Sequence, residues 1–594
     1  MGNGIKLRQM LHSAAALAAM GAALPAYAQD APGASDDEIV VTAQRREQRL
    51  IDVPASVAAV DAETIRDLSI QQLSEISNHV PNLAIDASVS LNSAVYIRGV
   101  GANSRNIGFD TRVGVYLDGV YLGQSPALNQ EIVDLERVEV LRGPQGALFG
   151  KNTVAGAINL ISRQPSFERE FFLSGRAGDF EDHQAMVRWN QPLGENVAAK
   201  LSLNYATRDG FTINVFNGDT VGDRNVFSWR AQTRWDVSDD LQILASLDGL
   251  RAREAGEYGN AFTNTFGTAL STGYANPRTA NLNHDNRDER DVYGGAIEAN
   301  YSFANDTVVK SITSYRTTEF FSTNDLDYST LDLLTIDFED AYDQWTQEFQ
   351  LISPSGGRFE YVAGLYLYAQ DSETFRTARA HSLAPLLGIA NGATLDTSGT
   401  VETRNIAFYG NGEFDLTDRL TLGAGFRYSW EEKTVDYTID SSQFAVLGLA
   451  DGNFQDTRTD RVFSPTLTAS YTLAPNLVAF ARYAEGYKSG GYNLDFVGAS
   501  SFPGGLEFDE ETARSVEAGI KGDLLDRELN FSLTAFHTTF EDYQVDQFQD
   551  MGGGVIAIVI GNASEVESQG AEFEANWAPT ETLSFNLGLG YQDV

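Results

Sequence analysis

The stretch Glu131–Pro165, EIVDLERVEVLRGPQGALFGKNTVAGAINLISRQP, decides how the rest of the chain reads. Its two ends are rich in β-branched and aliphatic residues, which predicts strands over Val133–Leu141 and Ala157–Ser162. Between them stand Gly143, Pro144, Gly146, Gly150 and Gly156. Glycine permits positive φ and close backbone approach while Pro144 fixes φ, so the connector reads as a sharply shaped, packed turn. A phosphate cradle is the alternative for so much glycine. Its chemistry is missing: Gly150-Lys151 is followed by Asn152 instead of Ser or Thr, and no GxGxxG opens a helix here.

Glu136–Gly150 (ERVEVLRGPQGALFG) with Ala155–Asn159 (AGAIN) resembles the end of the plug domain of TonB-dependent outer-membrane receptors, a segment that sits inside a β-barrel and blocks it. Upstream, VYIRGVG (95–101) and VGVYLDGVYLG (113–123) look like the same domain. Downstream, FARYAEGYKSGGYN (480–493), SVEAGIKGDLLDRELNFSLTAF (515–536) and SQGAEFEANWAPTETLSFNLGLGY (568–591) are similar to receptor barrel strands. The resemblance implies an antiparallel membrane β-barrel with an N-terminal mixed α/β plug domain in its lumen.

Bulk properties agree. The chain has 594 residues, 42% hydrophobic, with a mean hydropathy of −0.24. That soluble-looking value suits a barrel, whose strands hide their lipid face in alternation. The 24 Tyr and 34 Phe suit interfacial girdles. A net charge of −40 repels nucleic acid and excludes it as a partner class. No cysteine is present, so neither disulfides nor thiolate metal sites are possible.

Lys6 and Arg8 precede an apolar run, Leu11 to Leu24, that leads to Ala26-Tyr27-Ala28, so residues 1–28 read as a secretory signal peptide. Residues 29–49 are flexible at first and then carry Glu38-Ile39-Val40-Val41-Thr42-Ala43, a short strand-former alone in polar surroundings. Read locally, it is either a first strand or a segment that adds to a partner's sheet. Its position and letters resemble the TonB box, which implies that TonB grips it from the periplasm. Residues 50–165 form the plug. Asp61–Asp67 and Gln71–Ser77 read as short helices with Asp61 as an N-cap, and Asp118-Gly119 as a hairpin turn.

From residue 166 to 594 the chain repeats stretches of about ten alternating residues. Leu420, Leu422, Ala424, Phe426, Tyr428 and Trp430 share one face, against Thr421, Gly423, Gly425, Arg427 and Ser429. Short turns such as Leu193–Asn196 and Ala474–Asn476 alternate with long excursions, about 252–290, 321–342, 373–402, 435–460, 488–512 and 541–564. Turns short on one side and long on the other mark a transmembrane barrel. About 17 strands are expected here against about 22 in the family, so the barrel reads as incomplete at its C-terminus, with an open edge unfit for stable insertion.

Alternation turns Glu517 and Glu572 toward the lumen, with Ser515, Lys521 and Glu574. The resemblance implies that two plug arginines, here Arg98 and Arg142, pair with Glu517 and Glu572 and hold the plug. It also implies a ligand surface at the plug apex, for which Asn103, Arg105, Asn106, Phe109, Tyr121 and Gln124 are the candidates. The six histidines stand at no ligand spacing, so no metal site and no cofactor is expected. Nothing resembles a nucleophile elbow or other catalytic constellation, so no enzyme is expected. The implied function is TonB-dependent uptake, across the bacterial outer membrane, of a scarce solute such as a ferric siderophore. Oligosaccharide, cobalamin or haem are rival solutes. A passive porin would need neither box nor plug, and a soluble all-β hydrolase would need catalytic groups.

Overall fold

The computed structural model describes residues 40–86, 93–102, 106–256, 278–447, 449, 451–498, 505–552, 555–563, 565–580 and 582–594. The signal peptide, Glu38, Ile39, Asn103 and Arg105 lie outside them. Glu131–Pro165 supplies the centre of a five-stranded mixed sheet, in the order Val57–Asp61, Leu135–Arg142, Gly156–Ser162, Val113–Leu117, Val120–Tyr121. Leu135–Arg142 and Gly156–Ser162 pair antiparallel with Gly156 opposite Arg142, and Gly156–Leu160 runs parallel to Val113–Leu117. A strand paired on both edges and covered on both faces must be apolar almost throughout, as Gly156-Ala-Ile-Asn-Leu-Ile is. Asp61 caps the helix Ala62–Asp67, its Oδ1 accepting from the Thr64 N–H at 2.7 Å. The second helix is shorter than expected, Leu73–Ile76. Asp118 and Gly119 both have positive φ, 48° and 82°, as a tight hairpin needs.

Around this body runs a seventeen-stranded sheet, from Glu170–Gly178 to Leu583–Asp593, each strand antiparallel to the next in chain order. Alternation sets its faces: Leu422, Phe426 and Tyr428 are exposed outward while Gly423, Arg427 and Ser429 are buried inward. At the short-turn end the outer face carries Trp235, Tyr301, Phe303, Phe359, Phe414, Tyr471 and Trp577, all exposed, forming an aromatic girdle.

The plug touches this sheet from edge to edge. Gln71 accepts from Arg176 on the first strand, Glu131 from Arg224, and Tyr121 from Gln344, while Arg98 donates to Glu517. Pro81 and Asn82 lie against Gly588 and Gly590 on the last strand. Among the described residues the first and last strands do not pair with one another; plug residues 71–82 stand between them.

Strand lengths depart from the sequence reading. Thr394–Thr417 has 24 residues and Leu420–Asp440 has 21, not about ten. The excursions expected at 321–342, 373–402 and 435–460 are mostly strand, leaving the connections 326–333, 381–393 and 441–451. The cause is a reversal of polarity. Beyond Trp430 the outward residues become polar (Glu432, Thr434, Asp436), while Val435, Tyr437 and Ile439 are buried inward. The apolar outward run of about ten residues is what a tilted strand needs to cross hydrocarbon, and the remainder projects beyond it.

Phe426→Arg, within that outward apolar run, is therefore expected to cost about 2–4 kcal/mol. Glu432→Arg, outside it, should cost little; denaturant titration of the chain in lipid vesicles distinguishes the two.

Candidate functional site

The contact between plug and barrel holds the charged residues singled out above. Arg98 leaves the strand Ala94–Ile97 with a φ of 54° and drives its guanidinium into the barrel wall. Its Nε and Nη2 donate to Glu572 Oε1 and Oε2, both at 2.9 Å, and its Nη1 donates to Glu517 Oε1 at 2.6 Å. The fork on Glu572 is the bidentate geometry that suits guanidinium and carboxylate. Burial opposes a charge on Arg98, but Glu517 and Glu572 hold its pKa above the ordinary arginine value.

Arg142 lies within ion-pair distance of Glu572, as expected, but the carboxylate it hydrogen-bonds is that of Glu574. Its Nη2 donates to Glu574 Oε1 at 2.6 Å and its Nη1 to Glu574 Oε2 at 3.2 Å, whereas Glu572 is 3.7 Å away. Glu572 is already forked onto Arg98 and accepts from Ser56 and Asn82, so Arg142 takes the next inward carboxylate of the same strand. Arg482 completes the group: it lies 3.9 Å from Glu517 and donates to the Pro144 carbonyl at 2.6 Å. Three cations thus face three carboxylates. Gly143 sits against them with a φ of 72°, and a Cβ there would lie 2.5 Å from Glu517 Oε1.

Toward the short-turn end lies the described part, Val40–Ala43, of the expected partner-binding strand. Val40–Val41 pairs antiparallel with Gln48–Arg49 and has no third strand beside it among the described residues. It does not stand alone. Val41 and Ala43 are buried with Val53, Tyr116 and Leu141. The Thr42 N–H donates to Glu139 Oε1 at 2.7 Å, and its hydroxyl donates to the same carboxylate. Arg45 lies over the Phe149 ring at 4.5 Å, and Arg46 pairs with Glu360 and Glu413. Beside it opens a cavity of about 700 Å³, lined by Thr42, Arg45, Asp118, Glu136, Lys310 and Ser353 among others.

At the opposite end the plug apex is roofed by outer segments. Asp110 accepts from Lys433 Nζ at 2.7 Å, and Lys151 pairs with Glu431 at 3.0 Å. Burial would raise the Asp110 pKa, but Lys433 and Lys151 hold it well below the usual carboxylate range. Arg112 grips Glu511 with Nε and Nη2, at 2.9 and 2.7 Å. Each described apex candidate is buried and engaged with protein partners. Asn106 Nδ2 donates to the Tyr492 carbonyl at 2.8 Å and Gln124 Nε2 to Gln370 Oε1 at 2.8 Å. The Tyr121 carbonyl accepts from Gln344, and Phe109 lies beneath Lys488 Nζ at 3.2 Å. Gln344, Gln370 and Lys488 on barrel strands and Tyr492 on the short strand Gly491–Tyr492 supply these partners. Sequence reading placed Glu574 in the lumen without its partner and did not single out Arg482, Glu511, Glu431 or Lys433. Their inward register was legible, but which plug cation each would meet was not.

Residues 49–157 match the family model described as TonB-dependent Receptor Plug Domain, and residues 246–594 match that described as TonB dependent receptor-like, beta-barrel. A pesticin receptor of Yersinia pestis is 24% identical over 571 residues, covering 94% of this chain and 78% of the relative. A ferric-pyoverdine receptor of Pseudomonas sp. (strain M114) is 22% identical over 583 residues, covering 93% and 66%. The crystal structure of a ferric yersiniabactin uptake receptor from Yersinia pestis superposes with a TM-score of 0.76 at 20% identity, covering 91% of this chain and 78% of that one.

Arg98→Ala would leave Glu517 and Glu572 buried without their shared cation, at a cost on the order of 3–5 kcal/mol. The expected outcome is faster proteolysis of the plug, with strand content kept by circular dichroism. Gly143→Ala should act in the same direction, because it adds strain at positive φ and crowds Glu517.

Proposed function

Because this chain belongs to the TonB-dependent receptor family, we propose that it imports a ferric siderophore across the bacterial outer membrane, with TonB as the energising partner. The single observation that carries this reading is the filled lumen. A plug tied by buried ion pairs and hydrogen bonds to strands from one edge of the sheet to the other occupies the lumen that a solute would have to cross. That also weighs against a passive porin. The ferric siderophore follows from the relatives, whose names specify a ferric yersiniabactin uptake receptor and a ferric-pyoverdine receptor.

Ligand binding has to favour one plug state over another to do work. Val113–Leu117 is placed for this. Arg112, just before it, holds Glu511 under the roofed apex, and Tyr116, within it, packs against Arg45 near the partner-binding strand. Five residues of strand span about 13 Å between first and last Cα. Release of Val40–Ala43 from Glu139 would offer an unpaired strand edge to TonB, with main-chain hydrogen bonds supplying affinity. Outer-membrane lipid contacts the outward aromatic and aliphatic face.

The test is uptake of iron-55-labelled siderophore by a host stripped of its own receptors. Uptake should require both this chain and TonB, and Val40→Pro should abolish it while surface binding persists. Equal uptake in a host without TonB would overturn the proposal.

A further inference from the structure

Among the described residues, two histidines from separate connections come together at the outer end of the barrel. His284 lies just before the strand Arg287–Ser302, Asp332 just before Leu334–Ile352, and His381 directly after Phe359–Ala380. We propose that His284, Asp332 and His381 form a site for a divalent transition-metal ion of the Zn²⁺ class, which pins these three connections together.

The ligand atoms of the three side chains all lie within 4.8 Å of one another. His284 Nε2 is 2.9 Å from Asp332 Oδ1, and His381 Nδ1 is 3.9 Å from the same oxygen. The two imidazoles stack at 4.3 Å with an interplanar angle of 30°. Tetrahedral Zn²⁺ with bonds of about 2.0–2.1 Å sets its ligand atoms about 3.3 Å apart, so shifts of roughly an ångström complete the geometry.

The surroundings already orient two of the three ligands. His381 Nε2 is hydrogen-bonded to the Thr335 hydroxyl at 2.9 Å, which leaves Nδ1 facing Asp332. Asp332 Oδ2 accepts from the Ser382 N–H at 3.2 Å and from its hydroxyl, which leaves Oδ1 for the centre of the group. Such outer partners fix ligand orientation in metal sites. The backbone clamps the two segments as well: His381 N–H donates to the Leu333 carbonyl at 2.8 Å and Leu383 N–H to that of Asp332 at 2.9 Å. Asp325 accepts from the backbone N–H groups of Asn283 and His284, fixing the third. The side chains are 28%, 38% and 22% exposed, so an ion can enter and keep a water as its fourth ligand. Two imidazoles and one carboxylate select Zn²⁺, Ni²⁺ or Cu²⁺ over Ca²⁺, which takes an all-oxygen shell. The site goes beyond the transport reading and does not depend on which solute is carried.

The experiment is calorimetric titration of the full chain in detergent with ZnCl₂, strand content being checked for every variant. The expected result is a saturable site in the parent that excess Ca²⁺ does not displace. H284A and H381A should each lose it, and Thr335→Val should weaken it about tenfold or more by freeing the imidazole. Zn²⁺ should also slow protease cleavage within 326–333 in the parent and not in H381A. No Zn²⁺ binding in the parent, or the same stoichiometry and affinity in the H284A/H381A double variant, would overturn the proposal.

Discussion

A guanidinium withdrawn from water between two carboxylates is the interaction on which this molecule depends. Arg98, on the plug, and Glu517 and Glu572, on the wall, are all nearly fully buried. Charges so placed are tolerable only together, since each would be left desolvated and unpaired without the others. These ions are added to a buried apolar cluster that plug and barrel share, in which Leu73, Val113 and Ile158 pack with Val226, Leu250 and Phe540. Arg142 with Glu574 and Arg112 with Glu511 repeat the same device at other depths of the lumen.

Much of this was legible in the letters. The plug strands and the hairpin at Asp118-Gly119 followed from β-branched runs bounded by turn residues, and the inward register of Glu517 and Glu572 followed from period-two alternation. Pairing partners were less legible, because alternation fixes only the face of a side chain. Glu574 points inward as surely as Glu572, and only the three-dimensional approach of Arg142 decides between them. The outer ends of the strands were misread as loops for a related reason. Polar residues at Glu432, Thr434 and Asp436 look like a loop until Val435, Tyr437 and Ile439 are seen to keep the alternation with its sense reversed. The approach of His284 to His381 left no trace in local spacing at all, since each belongs to a different connection.

The reversal has a structural use. Outer strand extensions carry apolar residues inward, where they pack with the segments that roof the apex: Tyr437, Ile439, Tyr492, Leu494 and Val497 share one buried cluster. The membrane-crossing part of the same strands does the opposite, presenting polar side chains to the plug. One continuous strand thus carries two zones of opposite facing, and the change of sense falls just beyond Trp430.

The strict chain-order meander has a consequence for how the molecule comes to exist. Neighbouring strands join through connections local in sequence, so the sheet can zip hairpin by hairpin at low entropic cost. The ion pairs of Arg98 instead bridge 419 and 474 residues. A plug sheet complete by Ser162 must persist, unsecured, while more than a dozen strands are laid down around it. Contacts of such separation close the longest loops in the molecule, so the plug is secured to Glu517 and Glu572 only once the strands that carry them are in place.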